Sequence, residues 1–187
     1  MTLDVSVTHE ACSLNLAPTA STTAMLAMGD ALAVVVAERK RFKEKDFALL
    51  HPGGQLGRRL LLRVSDIMRT GGAHPVVRQT SRVKQVLLAV TKARAGCASV
   101  VDGQGRLIGI FTDGDLRRHL DSTPDLIQRP VREVMTRHPK TIPADHLAAE
   151  ALRVLREYKI DEVVVVDPKR RPVGLLDVQD LLKAGFV

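Results

Sequence analysis

Aromatic residues are scarce in this sequence: they make up 3% of its 187 residues, with no tryptophan and a single tyrosine. This leaves too few flat side chains for the base-stacking platforms of single-stranded nucleic-acid binding proteins. The net charge of +7 suits a polyanion, but the basic residues are scattered along the chain rather than arranged as one stripe. We therefore expect no nucleic-acid partner, and a solvated basic surface that tolerates anionic metabolites.

Cysteine is also sparse, and its spacing excludes the common metal motifs. Cys12 and Cys97 lie far apart, and no C-x-x-C or H-x-x-x-H spacing occurs. Such a pattern in a cytosolic chain is typical of free thiols rather than of a disulfide or a zinc site. We expect two thiols in half-buried positions, no metal and no cofactor.

Long hydrophobic runs are missing as well. The longest uninterrupted run covers residues 31–37, far short of the roughly 20 residues that cross a bilayer. The first five residues have no basic region leading into an apolar stretch, as a signal peptide has. With 45% apolar and 26% charged residues, the composition predicts a cytoplasmic globular protein without a membrane partner.

The most informative feature present is an internal repeat with an offset of about 65 residues. Its order is kept throughout, and its spacing drifts by only a residue or two. The clearest matches pair residues 66–68 with 133–135, 100–102 with 165–167, and 109–116 with 174–181. Since self-similarity of this kind marks a duplicated structural unit, the two copies are expected to fold alike.

Each copy predicts the order β-α-β-β-α. An extended stretch comes first, at residues 75–78 and 140–142, and a helix with apolar residues at helical spacing follows. Thr80 or Ser81 is expected to cap the first of these helices and Asp145 the second. The next strands, 98–101 and 163–166, precede a turn, a further strand and a short helix. The run 163–166 is apolar on both faces, as expected of a strand covered on both sides.

This duplicated pattern resembles a tandem pair of CBS domains over about residues 64–185. The resemblance implies an α/β fold with one CBS domain at 63–122 and another at 129–187. It also implies that the copies pack by their sheets, with a cleft between them for an adenosyl nucleotide or another nucleotide ligand.

The family's binding motif is a Thr or Ser, two residues, then an Asp at the end of the last strand. Thr112 and Asp115 fit it, since a hydroxyl and a carboxylate can hold ribose hydroxyls beside helix N–H groups that face a phosphate. The second copy has Asp180 but Asp177 in place of the hydroxyl, which would repel a phosphate. Both carboxylates also suit the positive start of a helix. Ligand contact and capping are equal alternatives for Asp115, and capping is favoured for Asp180.

Residues 1–62 behave differently from the repeat. Residues 3–7 predict a strand, and Ser21 is expected to cap a helix that runs to about Lys40. That helix is apolar nearly all round and therefore needs burial on several sides, which one lone strand does not provide. Either another subunit covers it, so that the protein is a homo-oligomer, or part of the domain is absent from this chain.

Residues 10–23, 28–33 and 47–58 resemble the last part of a sugar isomerase (SIS) domain. Together with the CBS pair, they resemble the KpsF/GutQ family of D-arabinose-5-phosphate isomerases. This resemblance implies a sugar phosphate substrate and the interconversion of ribulose 5-phosphate and arabinose 5-phosphate, which leads to the Kdo sugar of lipopolysaccharide. The family's phosphate loop and catalytic lysine have no counterpart in this sequence, so the chain alone is expected to show negligible isomerase activity.

Two catalytic positions of the family carry over, onto Glu10 and His51. Isomerisation moves a proton between adjacent carbons, and a partly buried Glu with a raised pKa suits the base while a His suits proton transfer at the oxygens. Which residue takes which role stays open. Ser21, Thr22 and Thr23 at a helix start are candidates for the sugar phosphate, although capping explains Ser21 equally well.

A second hypothesis is a regulatory module without catalysis. The complete repeat and the pair Thr112 and Asp115 favour it. In that case the CBS pair senses a nucleotide, or a nucleotide sugar such as CMP-Kdo.

Overall fold

The computed structural model describes residues 2–43, 46–47, 50 and 61–186. The chain divides into two compact units, Met1–Leu50 and His51–Val187. The predicted CBS pair lies within the second of these units.

The first unit begins with a loop that leads into helix α1 (Ala20–Arg39). Residues 3–7 form no strand, so that prediction is wrong; a strand needs a hydrogen-bonded neighbour, and the described part of this unit offers none. The predicted cap is also wrong. Thr19 takes the position before the helix without a side-chain cap bond, and Ser21 already lies inside the first turn.

Helix α1 is apolar but uncovered: none of its residues is buried within the described chain. Met25, Leu26 and Val34 are each more than half exposed, at 52%, 67% and 58%. By length and composition alone, α1 is also long and apolar enough to cross a membrane, contrary to the expectation from the uninterrupted runs. That observation is weak evidence of a span, because core helices of soluble proteins have the same character.

The second unit contains both repeats. The first repeat consists of β1 (Val76–Arg78), α3 (Val83–Ala93), β2 (Cys97–Val101), β3 (Leu107–Thr112) and α4 (Asp113–Leu120), preceded by the short helix α2 (Val64–Ile67). The second repeat consists of β5 (Thr141–Pro143), α5 (Ala148–Tyr158), β6 (Glu162–Val166), β7 (Pro172–Asp177) and α6 (Val178–Lys183), preceded by β4 (Thr136–Arg137). The β-α-β-β-α order predicted for each copy is confirmed.

The two sheets repeat the same topology. One has the strand order β1-β2-β3-β4 and the other β5-β6-β7. In each, the first strand runs parallel to the second and the second antiparallel to the third. An isolated bridge between Arg69 and Leu175 takes the place in the second sheet that the pairing of β4 with β3 has in the first.

The starts of α3 and α5 differ from the prediction. Arg82 and Leu147, rather than Thr80, Ser81 or Asp145, precede the first helical turn, and neither makes a side-chain cap bond. The backbone N–H of Arg82 instead donates to Gln85 Oε1 at 3.0 Å, and that of Leu147 to Glu150 Oε2 at 3.1 Å. In each case a side chain of the first turn accepts from the backbone N–H of the residue before the helix, which is one of the two bonds of a capping box.

The segment before each repeat packs into the other repeat. Val64 belongs to the core formed by β5, α5, β6 and β7, whereas Val131 and Val134 belong to the core of the first repeat. Met68 lies against Gly174, and Met135 lies against Gly109, where a side-chain carbon on either glycine would overlap the methionine sulfur. The segment that precedes one repeat therefore completes the hydrophobic core of the other repeat.

A third core joins the two sheets. Its members come from β2 and β3 on one side and from β6 and β7 on the other: Cys97, Leu107, Ile110, Val164 and Leu175. All are at most 8% exposed. Cys97 is thus fully buried rather than half-buried as expected, whereas Cys12 is half-buried. The predicted packing of the two copies by their sheets is confirmed.

Candidate functional site

A cavity of about 790 Å³ lies between the repeats. The end of β3 and the start of α4 form one wall, with Thr112, Gly114 and Arg118. The opposite wall comes from the second repeat and from the segment that leads into it. Its members include Lys140, Tyr158 and Glu162, whereas Thr136 lies in β4, which pairs with β3, and so belongs to the first wall. This volume is of the size that binds a small organic ligand.

Thr112 and Asp115 form a reciprocal pair at the start of α4. Thr112 Oγ1 accepts from the Asp115 N–H at 3.1 Å, and Asp115 Oδ2 accepts from the Thr112 N–H at 2.9 Å. The other carboxylate oxygen accepts from Thr136 Oγ1 at 2.7 Å and from Arg118 Nη2 at 2.5 Å. Asp115 is 2% exposed. Its carboxylate therefore lies behind the wall and positions side chains that line the cavity, such as Thr112 and Arg118.

Basic side chains surround the cavity: Arg117, Arg118, Lys140 and Lys159. Lys140 Nζ lies 3.8 Å from the centroid of the Tyr158 ring, a distance at which the ring quadrupole attracts the ammonium group. Acidic groups are present too, on Asp113, Asp161, Glu162 and Asp177. Such a mixture provides cations for a phosphate and carboxylates and hydroxyls for a ribose.

Glu162 is a partly buried acidic residue in the lining of the cavity. Burial raises its pKa, because desolvation penalises the charged carboxylate. Its Oε1 accepts from the Gly96 N–H at 2.9 Å. The matching position of the first repeat is Cys97, whose thiol pKa is raised by burial and by the neighbouring Glu162. The carboxyl group at the base of the cleft is thus specific to the second repeat.

Asp180 forms an ion pair with Arg69, a residue that was not predicted to belong to the site. Arg69 Nε lies 2.8 Å from Asp180 Oδ2, and Arg69 Nη2 lies 3.3 Å from Asp177 Oδ2. Asp180 Oδ2 also accepts from the Asp177 N–H at 3.1 Å, as a helix-capping carboxylate does. The capping alternative favoured for Asp180 agrees with this geometry.

Glu10 lies at the start of α1 in the first unit. Its Oε2 accepts from the Thr19 N–H at 2.7 Å and from the Ser21 N–H at 3.2 Å. Hydrogen bonds from Ser21 and Thr19 lower the pKa of Glu10 to about 2, so the expectation of a raised pKa is wrong here. The reason is that these bonds favour the charged carboxylate.

The remaining candidates of the first unit are Ser21, Thr22 and Thr23, together with His51. The hydroxyl of Thr22 donates to the Pro18 and Thr19 carbonyl oxygens at 3.2 and 2.9 Å. The Thr23 hydroxyl donates to the Thr19 carbonyl at 2.9 Å. Both therefore bond within the first turn of α1, and Ser21 donates its N–H to Glu10. His51 lies outside the described residues.

Sequence reasoning missed Arg69, Lys140, Tyr158 and Glu162. One signal for Glu162 was available, because a charged residue opens the otherwise apolar strand β6. Arg69 gave no comparable signal, since Asp180, its main acceptor, lies 111 residues away in the sequence.

Comparison with protein families and curated proteins gives two results. A CBS-domain model matches residues 64–122 and 131–186. A Pseudomonas aeruginosa protein named arabinose 5-phosphate isomerase KdsD is 51% identical over 99% of this chain, and the protein of that name from Escherichia coli K12 is 47% identical over 99%. The chain spans 57% and 56% of the lengths of these relatives.

Solved CBS pairs have the same fold as the second unit. The CBS domain pair of protein MJ0100, in complex with 5′-methylthioadenosine and S-adenosyl-L-methionine, has a TM-score of 0.59 at 24% identity and covers 66% of this chain and 94% of its own. CBSX2 in complex with AMP has a TM-score of 0.56 at 23% identity, covering 66% of this chain and 96% of its own.

Proposed function

This chain belongs to the CBS-domain family, and we propose that it takes part in the isomerisation of arabinose 5-phosphate under the control of a bound ligand. A nucleotide or nucleotide sugar binds between its repeats and regulates that reaction. The observation that carries the regulatory part is the cavity between the repeats, with basic side chains around it and the Thr112 hydroxyl in its wall.

The chemistry of the cavity favours a ligand with a phosphate, a sugar and a base. Arg118 is 64% exposed at its side chain although its Nη2 is held by Asp115, so its guanidinium keeps donors available to an anion. Tyr158 offers a flat face on which a base or the sugar can pack. An adenosyl nucleotide and CMP-Kdo both combine these groups, and AMP and CMP are the simplest probes of each.

Thermal unfolding in the presence of AMP or CMP tests this proposal. At a ligand concentration 100-fold above Kd, binding stabilises a folded protein by about 2.7 kcal/mol, so we expect a rise in Tm of several degrees with at least one probe. Lys140→Glu reverses a charge in the cavity and should reduce the rise. The matched control is Lys84→Glu, an exposed position in α3 that does not line the cavity.

A flat response to both nucleotides would overturn the regulatory proposal. Equal loss of the Tm rise in Lys140→Glu and Lys84→Glu would show a general charge effect instead of binding in the cleft.

The isomerase part of the proposal rests on the identity with the named isomerases over nearly the whole chain. In this proposal Glu10 and His51 occupy catalytic positions, and Ser21, Thr22 and Thr23 lie at the sugar phosphate. Aldose–ketose isomerisation needs a base for the carbon-bound proton and a group for the oxygen protons. Glu10 accepts the N–H groups of Thr19 and Ser21 at the start of α1. These bonds lower its pKa, so they must weaken when substrate binds for Glu10 to take up a proton as a base.

A chimera tests this part. The matching 57% of the Pseudomonas aeruginosa relative is replaced by this chain, and turnover of arabinose 5-phosphate is measured. We expect the chimera to be active and Glu10→Gln to lose about 100-fold or more in kcat, the usual contribution of general acid–base catalysis. Glutamine keeps an oxygen that accepts the Thr19 and Ser21 hydrogen bonds, so the start of α1 is preserved.

Glu38→Gln is the matched control, because Glu38 is an exposed carboxylate near the other end of α1. An active chimera whose turnover is insensitive to Glu10→Gln would assign Glu10 to helix capping alone. An inactive chimera that still folds would contradict the isomerase proposal.

We further propose a cytoplasmic homo-oligomer. Sugar phosphates and nucleotides are cytoplasmic metabolites, and the uncovered apolar surface of α1 favours burial against another copy of the chain.

A further inference from the structure

The repeat creates two equivalent half-sites between the copies. Thr112, Asp115 and Thr136 form the first, which we call the open half-site because Thr112 and Thr136 line the cavity. Asp177, Asp180 and Arg69 occupy the matching positions of the second, and of these three only Asp177 lines the cavity. The equivalence is visible in the bonds: Asp115 accepts from Thr136 at 2.7 Å, and Asp180 accepts from Arg69 at 2.8 Å.

Arg69 extends across the second half-site. From Asp180 and Asp177 in the second repeat, its guanidinium reaches the first repeat, where Nη1 donates to the Arg94 carbonyl oxygen at 3.3 Å. In the open half-site, the position matching Arg94 is Lys159, and both residues end their helices in the left-handed conformation. There the short Thr136 side chain leaves the space beside Lys159 to the cavity. The guanidinium therefore lies where a ligand would bind.

Arg69 and its two carboxylate partners, Asp177 and Asp180, are largely shielded from solvent. The Arg69 side chain is 18% exposed, and the carboxylates that it pairs with are 17% and 11% exposed. Two carboxylates and one guanidinium leave a net negative charge at this half-site, which disfavours an incoming phosphate. The open half-site instead presents the exposed cation of Arg118.

We propose that the chain binds one nucleotide, in the open half-site, and that Arg69 is a permanent internal occupant of the other. This inference rests on the proposed nucleotide binding and adds its stoichiometry and its position. The second copy departs from the motif at Asp177, where the motif has a hydroxyl. In this proposal the Asp177 carboxylate is present because it holds Arg69.

Calorimetric titration of the full chain with AMP, and in parallel with CMP, tests the inference. The unsubstituted protein should bind one nucleotide per chain. The double variant Arg69→Thr/Asp177→Thr gives the second half-site the side chains of the first, and it should bind two. The reverse variant, Thr112→Asp/Thr136→Arg, should bind at least tenfold more weakly, because the new guanidinium fills the open half-site.

Arg137→Thr is the control. It removes a neighbouring exposed cation of β4 that does not line the cavity, and it should leave one nucleotide bound with unchanged affinity. Melting curves of each variant establish that it is folded.

Each alternative outcome is decisive. Two nucleotides bound to the unsubstituted protein would overturn the inference while leaving the proposed nucleotide binding intact. One nucleotide bound to a folded Arg69→Thr/Asp177→Thr protein, or unchanged affinity in Thr112→Asp/Thr136→Arg, would show that Arg69 does not act as an occupant. Binding of neither nucleotide to the unsubstituted protein would overturn both the inference and the function on which it rests.

Discussion

Replacing Leu175 with alanine should lower the free energy of unfolding of the CBS pair by about 2–5 kcal/mol, the usual range for a buried leucine. Leu175 is 0% exposed and belongs to the core that joins the two sheets. The loss has two parts, the transfer free energy of the deleted carbons and the cavity they leave. Since both repeats contribute to this core, we expect them to lose stability together, in one transition of a urea titration.

Leu88→Ala is the matched control, because the same carbons are deleted from a leucine of α3 that is 63% exposed. Its effect should stay within about 0.5 kcal/mol, as for most surface substitutions. If Leu175→Ala behaved like Leu88→Ala, the joint between the repeats would not be a packed core. If it unfolded one repeat and left the other unchanged, the repeats would be independent.

Removing the Asp115 carboxylate should cost about 2–3 kcal/mol of stability, in the upper range for hydrogen bonds to a charged group. Asp115→Ala leaves the part-buried Thr112 N–H without its acceptor and releases Thr136 and Arg118 from their positions. Because two of these side chains line the cavity directly beside Thr112, the variant should also lose most of its nucleotide affinity. Chemical denaturation and calorimetric titration measure the two effects separately.

Asp113→Ala provides the comparison. Asp113 is an exposed carboxylate in the same helical turn, and its loss should cost only the helix-dipole contribution of about 0.3–1 kcal/mol. A result for Asp115 no larger than that for Asp113 would mean that the buried network contributes little. Full nucleotide affinity in a folded Asp115→Ala protein would separate the network from the binding site.

The architecture of the second unit followed from the sequence because its signals are local and occur twice. Each helix shows apolar residues at the helical period and each strand a short apolar run, and the copies support each other. The resemblance to arabinose 5-phosphate isomerases is confirmed by the curated relatives, and the CBS fold by the family model and the solved structures.

Local signals were misleading at the starts of α3 and α5 and at residues 3–7. Thr80, Ser81 and Asp145 are good cap residues by type, yet the helices begin after Arg82 and Leu147, whose N–H groups donate to Gln85 and Glu150. Residues 3–7 were predicted as a strand but have no described neighbour to pair with. In such cases intrinsic preference is overridden by the bonds that the folded chain provides.

The candidate site was predictable only in part. Thr112 and Asp115 were identified from the motif, and both lie at the cleft, one in its wall and one behind it. The exchange of Val64 and Val131 between the repeats, and the reach of Arg69 to Asp180, depend on contacts distant in the sequence. A pattern of residue types along the sequence carries no information on contacts between distant residues, so these features could not be predicted from it.

The most direct test of a ligand site shared by both repeats is amide hydrogen exchange of the full chain, with and without saturating AMP or CMP. We predict slower exchange on binding in residues 110–118 of the first repeat and 136–140 of the segment that follows it, and also in residues 158–162 of the second repeat. Protection confined to one repeat, or none in any of these segments, would contradict a nucleotide site between the two copies.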